Sequence, residues 1–160
     1  MSRLELISKS LDDTWRLATN FSKCINKNGV IVFFLGEIGA GKTTFIKKFL
    51  AEYGVEEEVT SPSFVVMNEY HSANLPVYHF DFYRLENLGT KTIRDELTQY
   101  SDNGNILLIE WAEFNDLDIF DDKLTFTIEY IENDYRKIVI EAIGNNSQKV
   151  LDELKKYENT

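Results

Sequence analysis

Cysteine is nearly absent from this chain of 160 residues: Cys24 is the only one, so no internal disulfide can form. Cys24 lies in a helical pattern and reads as a small buried apolar residue, which suits a cytoplasmic protein. Long hydrophobic runs are absent too. No stretch approaches the roughly 20 apolar residues needed to cross a bilayer, and Arg3, Glu5 and Lys9 interrupt the first ten residues, unlike a secretory signal. Excess positive charge is also missing. Against 17 Lys and Arg stand 27 Asp and Glu, a formal net charge of −10. Proteins that grip DNA or RNA through phosphate contacts carry a basic surface. Direct DNA binding is therefore not expected, and a role with nucleic acid would run through a protein partner. Lys47, Lys48 and Arg94 read as solvated helix-face charges. No repeat, low-complexity tract or long linker divides the chain, so residues 1–160 are expected to form one domain, with 43% hydrophobic residues to build its core.

What the chain does contain is a complete phosphate-binding loop. Gly36-Glu37-Ile38-Gly39-Ala40-Gly41-Lys42-Thr43, followed by Thr44, fits G-x-x-x-x-G-K-[ST] without a mismatch. An apolar run over 30–35 leads in as a buried strand. A helical pattern with Phe45, Ile46, Phe49 and Leu50 leads out, and Gly54 stops it. Strand, loop and helix in that order are the context the motif requires. The glycines let successive backbone N–H groups face one concavity, and the helix N-terminus adds its dipole. Lys42 would reach the outer phosphates and the Thr43 hydroxyl would ligate Mg²⁺.

The remaining pattern places strands around this unit. Leu4, Leu6 and Ser8 suggest a first strand. Ser10 follows as an N-cap, with Asp12 and Asp13 in the first helical turn. Trp15, Ala18, Phe21, Ser22 and Ile25 continue at helical spacing up to Asn28-Gly29. Strands are expected over 64–70, 77–81 and 106–110, and a helix over 89–100 with Ile93 and Leu97 inward. Leu124, Phe126, Ile128 and Tyr130 alternate with polar residues, the period of a half-buried strand. Asn133-Asp134 turns that strand into another over 135–143, an antiparallel hairpin. A last helix is expected over 148–157. The fold class is α/β: a three-layer α/β/α arrangement of the P-loop NTPase kind, with a mixed sheet and helices on both faces.

Nucleotide chemistry also needs carboxylates, and two apolar strands end in one: Asp81 and Glu110. Ligands of such sheets sit beyond the carboxyl ends of the strands. An acid there can hold a metal hydration shell or orient attacking water. Which of the two lies nearer the metal is open at this stage. Ser61-Pro62-Ser63-Phe64 lies where switches place a hydroxyl that senses the terminal phosphate, and an ordinary loop fits it as well. His79 precedes Asp81 by two and shares its strand face, so it is either a group touching the site or a structural or partner-contacting residue. His71 is the only other histidine. Arg84 fits an internal arginine finger and a simple ion-pair partner equally.

Taken together, the phosphate loop, Ser61-Pro62-Ser63-Phe64, Tyr78-His79-Phe80-Asp81-Phe82-Tyr83-Arg84-Leu85 and Ile109-Glu110-Trp111 resemble the bacterial TsaE family in order and spacing over nearly the whole chain. These are small ATPases needed to form threonylcarbamoyladenosine in tRNA. The resemblance implies ATP and Mg²⁺ as ligands, Lys42 and the loop amides on the phosphates, and Thr43 and Glu110 on the metal side. It implies Asp81 as the acid required for hydrolysis and Trp111 beside the nucleotide. Ser61 and Ser63 become the switch, where the family usually has Ser-Pro-Thr. The adenine would lie near residues 12–15 and the hairpin, by Arg136. TsaB- and TsaD-like partners are implied, with tRNA met through the complex. Ser63 loses the threonine methyl, and Ala112 replaces the proline that usually follows the tryptophan. A small-molecule kinase and a regulatory nucleotide-binding module are the alternatives. A GTP switch is disfavoured, because the only Asn-Lys, Asn26-Lys27, precedes the phosphate loop.

Overall fold

Apolar runs in the middle of the chain and alternating runs towards its ends sort into one sheet. The computed structural model describes residues 2–36, 40–59, 67–81, 95, 97–102, 104–111 and 120–159. Within them the order is β1 (Ser2–Ser8), α1 (Leu11–Ser22), β2 (Val30–Leu35), α2 (Lys42–Tyr53), β3 (Met67–Tyr70), β4 (Val77–Asp81), β5 (Ile106–Trp111), β6 (Lys123–Tyr130), β7 (Arg136–Ile143) and α3 (Asn145–Glu158). The strands form a seven-stranded sheet ordered β1-β7-β6-β2-β5-β4-β3. β2 pairs in parallel with β5 and β6, and β4 in parallel with β5. The outer pairs β1–β7, β6–β7 and β3–β4 are antiparallel. The sheet is mixed, with the parallel strands central and the expected hairpin formed by β6 and β7.

Strand alternation divides the core. Val32, Phe34, Leu108 and Phe126 face α1, α2 and α3, against Leu17, Phe21, Phe45, Phe49, Val150 and Leu154. On the opposite face Phe33, Phe80, Leu107 and Ile109 pack with Leu97. Leu97 belongs, with Asp95 and Thr98, to the described part of the helix expected over 89–100, and it points inward as expected; Ile93 lies outside the described residues. Phe126 is the hub of the larger half. Its ring centre lies 5.1 Å from Phe21, 5.1 Å from Phe45 and 5.3 Å from Phe34, which ties the sheet to α1 and α2.

Two boundaries and one side chain differ from the pattern in the sequence. α1 stops at Ser22 instead of running to Asn28. The Lys23 N–H donates to the Asn20 carbonyl and the Cys24 N–H to the Phe21 carbonyl, closing the helix, and the Asn26 side chain accepts from the Asn28 N–H in a competing turn. Cys24 therefore sits just after the helix, its thiol donating to the Asn20 carbonyl. α3 begins at Asn145, earlier than expected. Asp122, from the distant entry to β6, accepts from the Asn146 and Ser147 N–H groups and caps the helix across the fold. Trp15 is not an inward residue: it is 38% exposed, with the Lys48 ammonium 5.5 Å from its ring centre, while neighbouring Leu17 fills the core.

Two outcomes are expected. Phe126→Ala removes the hub and costs about 4 kcal/mol, as phenylalanine truncations in cores do, read from the midpoint of urea unfolding. Burial, aided by Glu153 and Glu158, pushes the Cys24 thiol up to about 12. Alkylation of the folded chain at pH 8 is therefore expected to be far slower than that of the urea-unfolded chain.

Candidate nucleotide site

Gly36 follows β2 at the carboxyl end of the sheet, and its shape is imposed from the side. Its φ of +141° is one that side-chain-bearing residues rarely adopt, and a Cβ built there would stand 2.3 Å from the Ile128 carbonyl oxygen of β6. Only glycine lets the chain pass this close to the neighbouring strand. At the other end of the loop Gly41 also has positive φ, +109°, and serves as the N-cap of α2. No side chain caps that helix and no acid sits in its first turn. By contrast α1 has Ser10 on the Asp13 N–H, and α3 has Asp122. A helix start without a side-chain cap or a nearby acid suits an anion.

Lys42 opens α2 and is 6% exposed. Its ammonium donates to the Gly36 carbonyl at 2.8 Å, folding the side chain back over the loop. Desolvation pulls its pKa below the usual lysine range, opposed by the negative charges of Glu110 and Asp81. Asp81 ends β4 and Glu110 is next to last in the adjacent parallel β5, which runs one residue past the expected end; Asp81 is opposite Glu110, and Glu110 is opposite Phe34 just before the loop. Glu110 has two described contacts. Its Oε1 lies 3.5 Å from the Thr43 hydroxyl, a loose contact, and its Oε2 lies 2.8 Å from His79 Nε2. His79 is 1% exposed. It sits within the site, and burial removes the partner-contacting role from the alternatives.

Thr43 Oγ1 and Glu110 Oε1 are hard oxygen donors beside an anion-binding loop, a set that suits Mg²⁺, which takes one or two protein oxygens and keeps water and phosphate ligands. Among the described residues no three His, Cys, Asp or Glu side chains cluster to hold an ion alone. The arrangement fits a nucleotide-borne ion better than a free-standing metal centre.

Arg136, placed by the resemblance near the adenine, donates from Nε to the Ala40 carbonyl at 3.0 Å, with its guanidinium carbon 4.7 Å from the Tyr130 ring centre. The hairpin thus buttresses the loop through backbone. Nothing in the order of residues signals this contact or the one between Gly36 and Ile128. Trp111 pairs through its backbone with Leu35 at the last rung of β2–β5. Glu37, Ile38, Gly39, Ser61, Ser63 and Arg84 lie outside the described residues.

With the site's geometry in place, similarity to known proteins decides the family. A family profile described as "Threonylcarbamoyl adenosine biosynthesis protein TsaE" matches residues 8–138. The chain belongs to the TsaE family. It is 34% identical over 133 residues to the "tRNA threonylcarbamoyladenosine biosynthesis protein TsaE" of Bacillus subtilis, covering 83% of this chain and 82% of that one. A protein of the same name from Treponema pallidum is 30% identical over 138 residues, covering 86% of this chain and 99% of that one. The crystal structure of Bacillus subtilis YdiB superposes with a TM-score of 0.76 at 28% identity, over 99% of this chain and 97% of that one. The P-loop-like α/β fold is common to both. Among the described residues no helix is long and apolar enough to cross a membrane.

Gly36→Ala tests the TsaE-type loop directly. A positive φ forced on alanine costs of order 1–3 kcal/mol, and the clash with the Ile128 carbonyl adds to it. We expect a lower melting temperature and weakened binding of a fluorescent ADP analogue, whereas Gly54→Ala, where a Cβ meets open space, lowers stability but not ADP binding.

Proposed function

We propose that this protein is a Mg²⁺-dependent ATPase serving threonylcarbamoyladenosine formation in tRNA, working in the cytoplasm as one domain over residues 1–160 with TsaB- and TsaD-like partners. The observation that carries the reading is the convergence of Lys42, Thr43, Asp81 and Glu110 at the carboxyl end of three adjoining strands and the start of α2. Names of the relatives support the pathway, and the net charge of −10 supports contact with tRNA through the complex.

The residues divide the work. The loop from Gly36 through Glu37, Ile38, Gly39, Ala40 and Gly41, with Thr44, cradles the phosphates through backbone N–H groups. Lys42 exchanges its bond to the Gly36 carbonyl for the outer phosphate oxygens. Thr43 and Glu110 would hold the ion, which would supply positive charge to offset the charge developing on the phosphates. Asp81 accepts a proton from, or orients, the water that attacks the terminal phosphorus. The bond to the bridging oxygen breaks as that water adds, giving ADP and inorganic phosphate. Trp111 lies beside the nucleotide and Arg136 supports the loop near the base. Ser61 and Ser63 sense whether the terminal phosphate is present.

The test is phosphate release from ATP and from GTP, with and without a TsaB–TsaD pair. We expect slow release alone, stimulation by the pair with ATP, and loss of that stimulation in Asp81→Ala. Lys42→Ala should weaken nucleotide binding and turnover by about a hundredfold or more. Phosphate transfer to a small metabolite, indifferent to the partners, would favour a kinase and overturn the proposal. Nucleotide binding without turnover under every condition would leave a regulatory module.

A further inference from the structure

A buried histidine is hydrogen-bonded to the acid that would hold the ion. Resting on the reading of Glu110 as that acid, we propose that His79 is its positioning residue, locking the carboxylate so that one oxygen stays turned towards Thr43. The register makes this possible. His79 is level with Leu108, and Asp81 is level with Glu110, so His79 reaches diagonally to the next same-face position of β5. The contact is 2.8 Å, and the two side chains are 2% and 7% exposed.

Chemistry assigns the direction of the bond. An ionised carboxylate only accepts, so His79 Nε2 carries the proton and donates it to Oε2. That leaves Oε1, 3.5 Å from the Thr43 hydroxyl, as the oxygen facing the loop. The terminal torsion of a glutamate is broad and its side chain holds much rotamer entropy. A bond to a rigid, buried ring removes that freedom before any ligand arrives.

Packing alone does not call for a histidine here. The same sheet face carries Val77 and Leu108, both fully buried apolar residues. Burying an imidazole among them has a desolvation cost that an apolar side chain of similar volume avoids. Its second nitrogen, Nδ1, is buried and has no hydrogen-bond partner among the described residues. The ring therefore contributes little to the fold beyond filling space, and its described polar contact is to the acid. This is the arrangement in which an outer residue orients a metal-associated carboxylate.

Three substitutions in the full chain test the proposal, read by binding of a fluorescent ADP analogue across a Mg²⁺ titration and in EDTA. His79→Leu should raise the Mg²⁺ concentration for half-maximal effect by about 10–100-fold and leave ADP affinity in EDTA unchanged. His79→Gln, whose amide nitrogen overlies Nε2, should restore the wild-type titration. Should the leucine variant fail to fold, His79→Asn, polar but too short to reach Glu110, takes its place with the same expectation. Equal loss with and without Mg²⁺, or glutamine behaving like leucine, overturns the proposal as a merely structural effect. Glu110→Gln separates the two levels. If it shifts the Mg²⁺ titration and His79→Leu does not, the positioning role fails alone. If Glu110→Gln leaves the titration unchanged, the metal role of Glu110 fails and the positioning role with it.

Discussion

The site depends on the register of three parallel strands. Leu35 is level with Trp111, Phe34 with Glu110, and Glu110 with Asp81, so β2, β5 and β4 end on one line. A slip of one residue in β4 or β5 would send an acid to the opposite face. The register is held because Val32, Phe34, Leu108 and Val77 are buried under the helices, while Phe33, Leu107 and Ile109 are buried on the other side. These central strands are buried on both faces, and a slip of one residue would turn His79 and Glu110 to the other face.

The loop is then supported by elements remote in sequence. Ile128 of β6 presses against Gly36, and Arg136 of β7 holds the Ala40 carbonyl. The hairpin therefore supports both ends of the loop, at Gly36 and at Ala40. α2 is pinned from behind by Phe45, which packs on Phe126 and Phe34. Its uncapped N-terminus is thus held rigidly at the cleft, where an unsatisfied helix end becomes an anion site.

Electrostatics at the cleft are balanced between opposing effects. Burial disfavours the Lys42 ammonium, and Glu110 and Asp81 oppose that. Lys42 donates a hydrogen bond to the Gly36 carbonyl. Phosphate oxygens would replace that neutral acceptor with charged ones, which makes stronger hydrogen bonds. The acids cannot follow the same logic, since phosphates repel them. In the proposed function, a cation held by Glu110 would supply the charge that offsets this repulsion.

Much of this was legible in the chain itself. The phosphate loop, its strand and helix, the two strand-terminal acids and the hairpin follow from spacing and period, because those signals are local. The blocks around Asp81 and Trp111 narrowed the family. Boundaries decided by distant partners were not legible: Asp122 starts α3 early, and the Asn26 turn cuts α1 short. The role of His79 was undecidable from its position two before Asp81, since alternation gives a face but not a neighbour. Only pairing of β4 with β5 brings it to Glu110. The residues alone thus determined which groups are candidates for phosphate chemistry. Tertiary structure decided which of them meet, because register and packing join strands that are far apart along the chain.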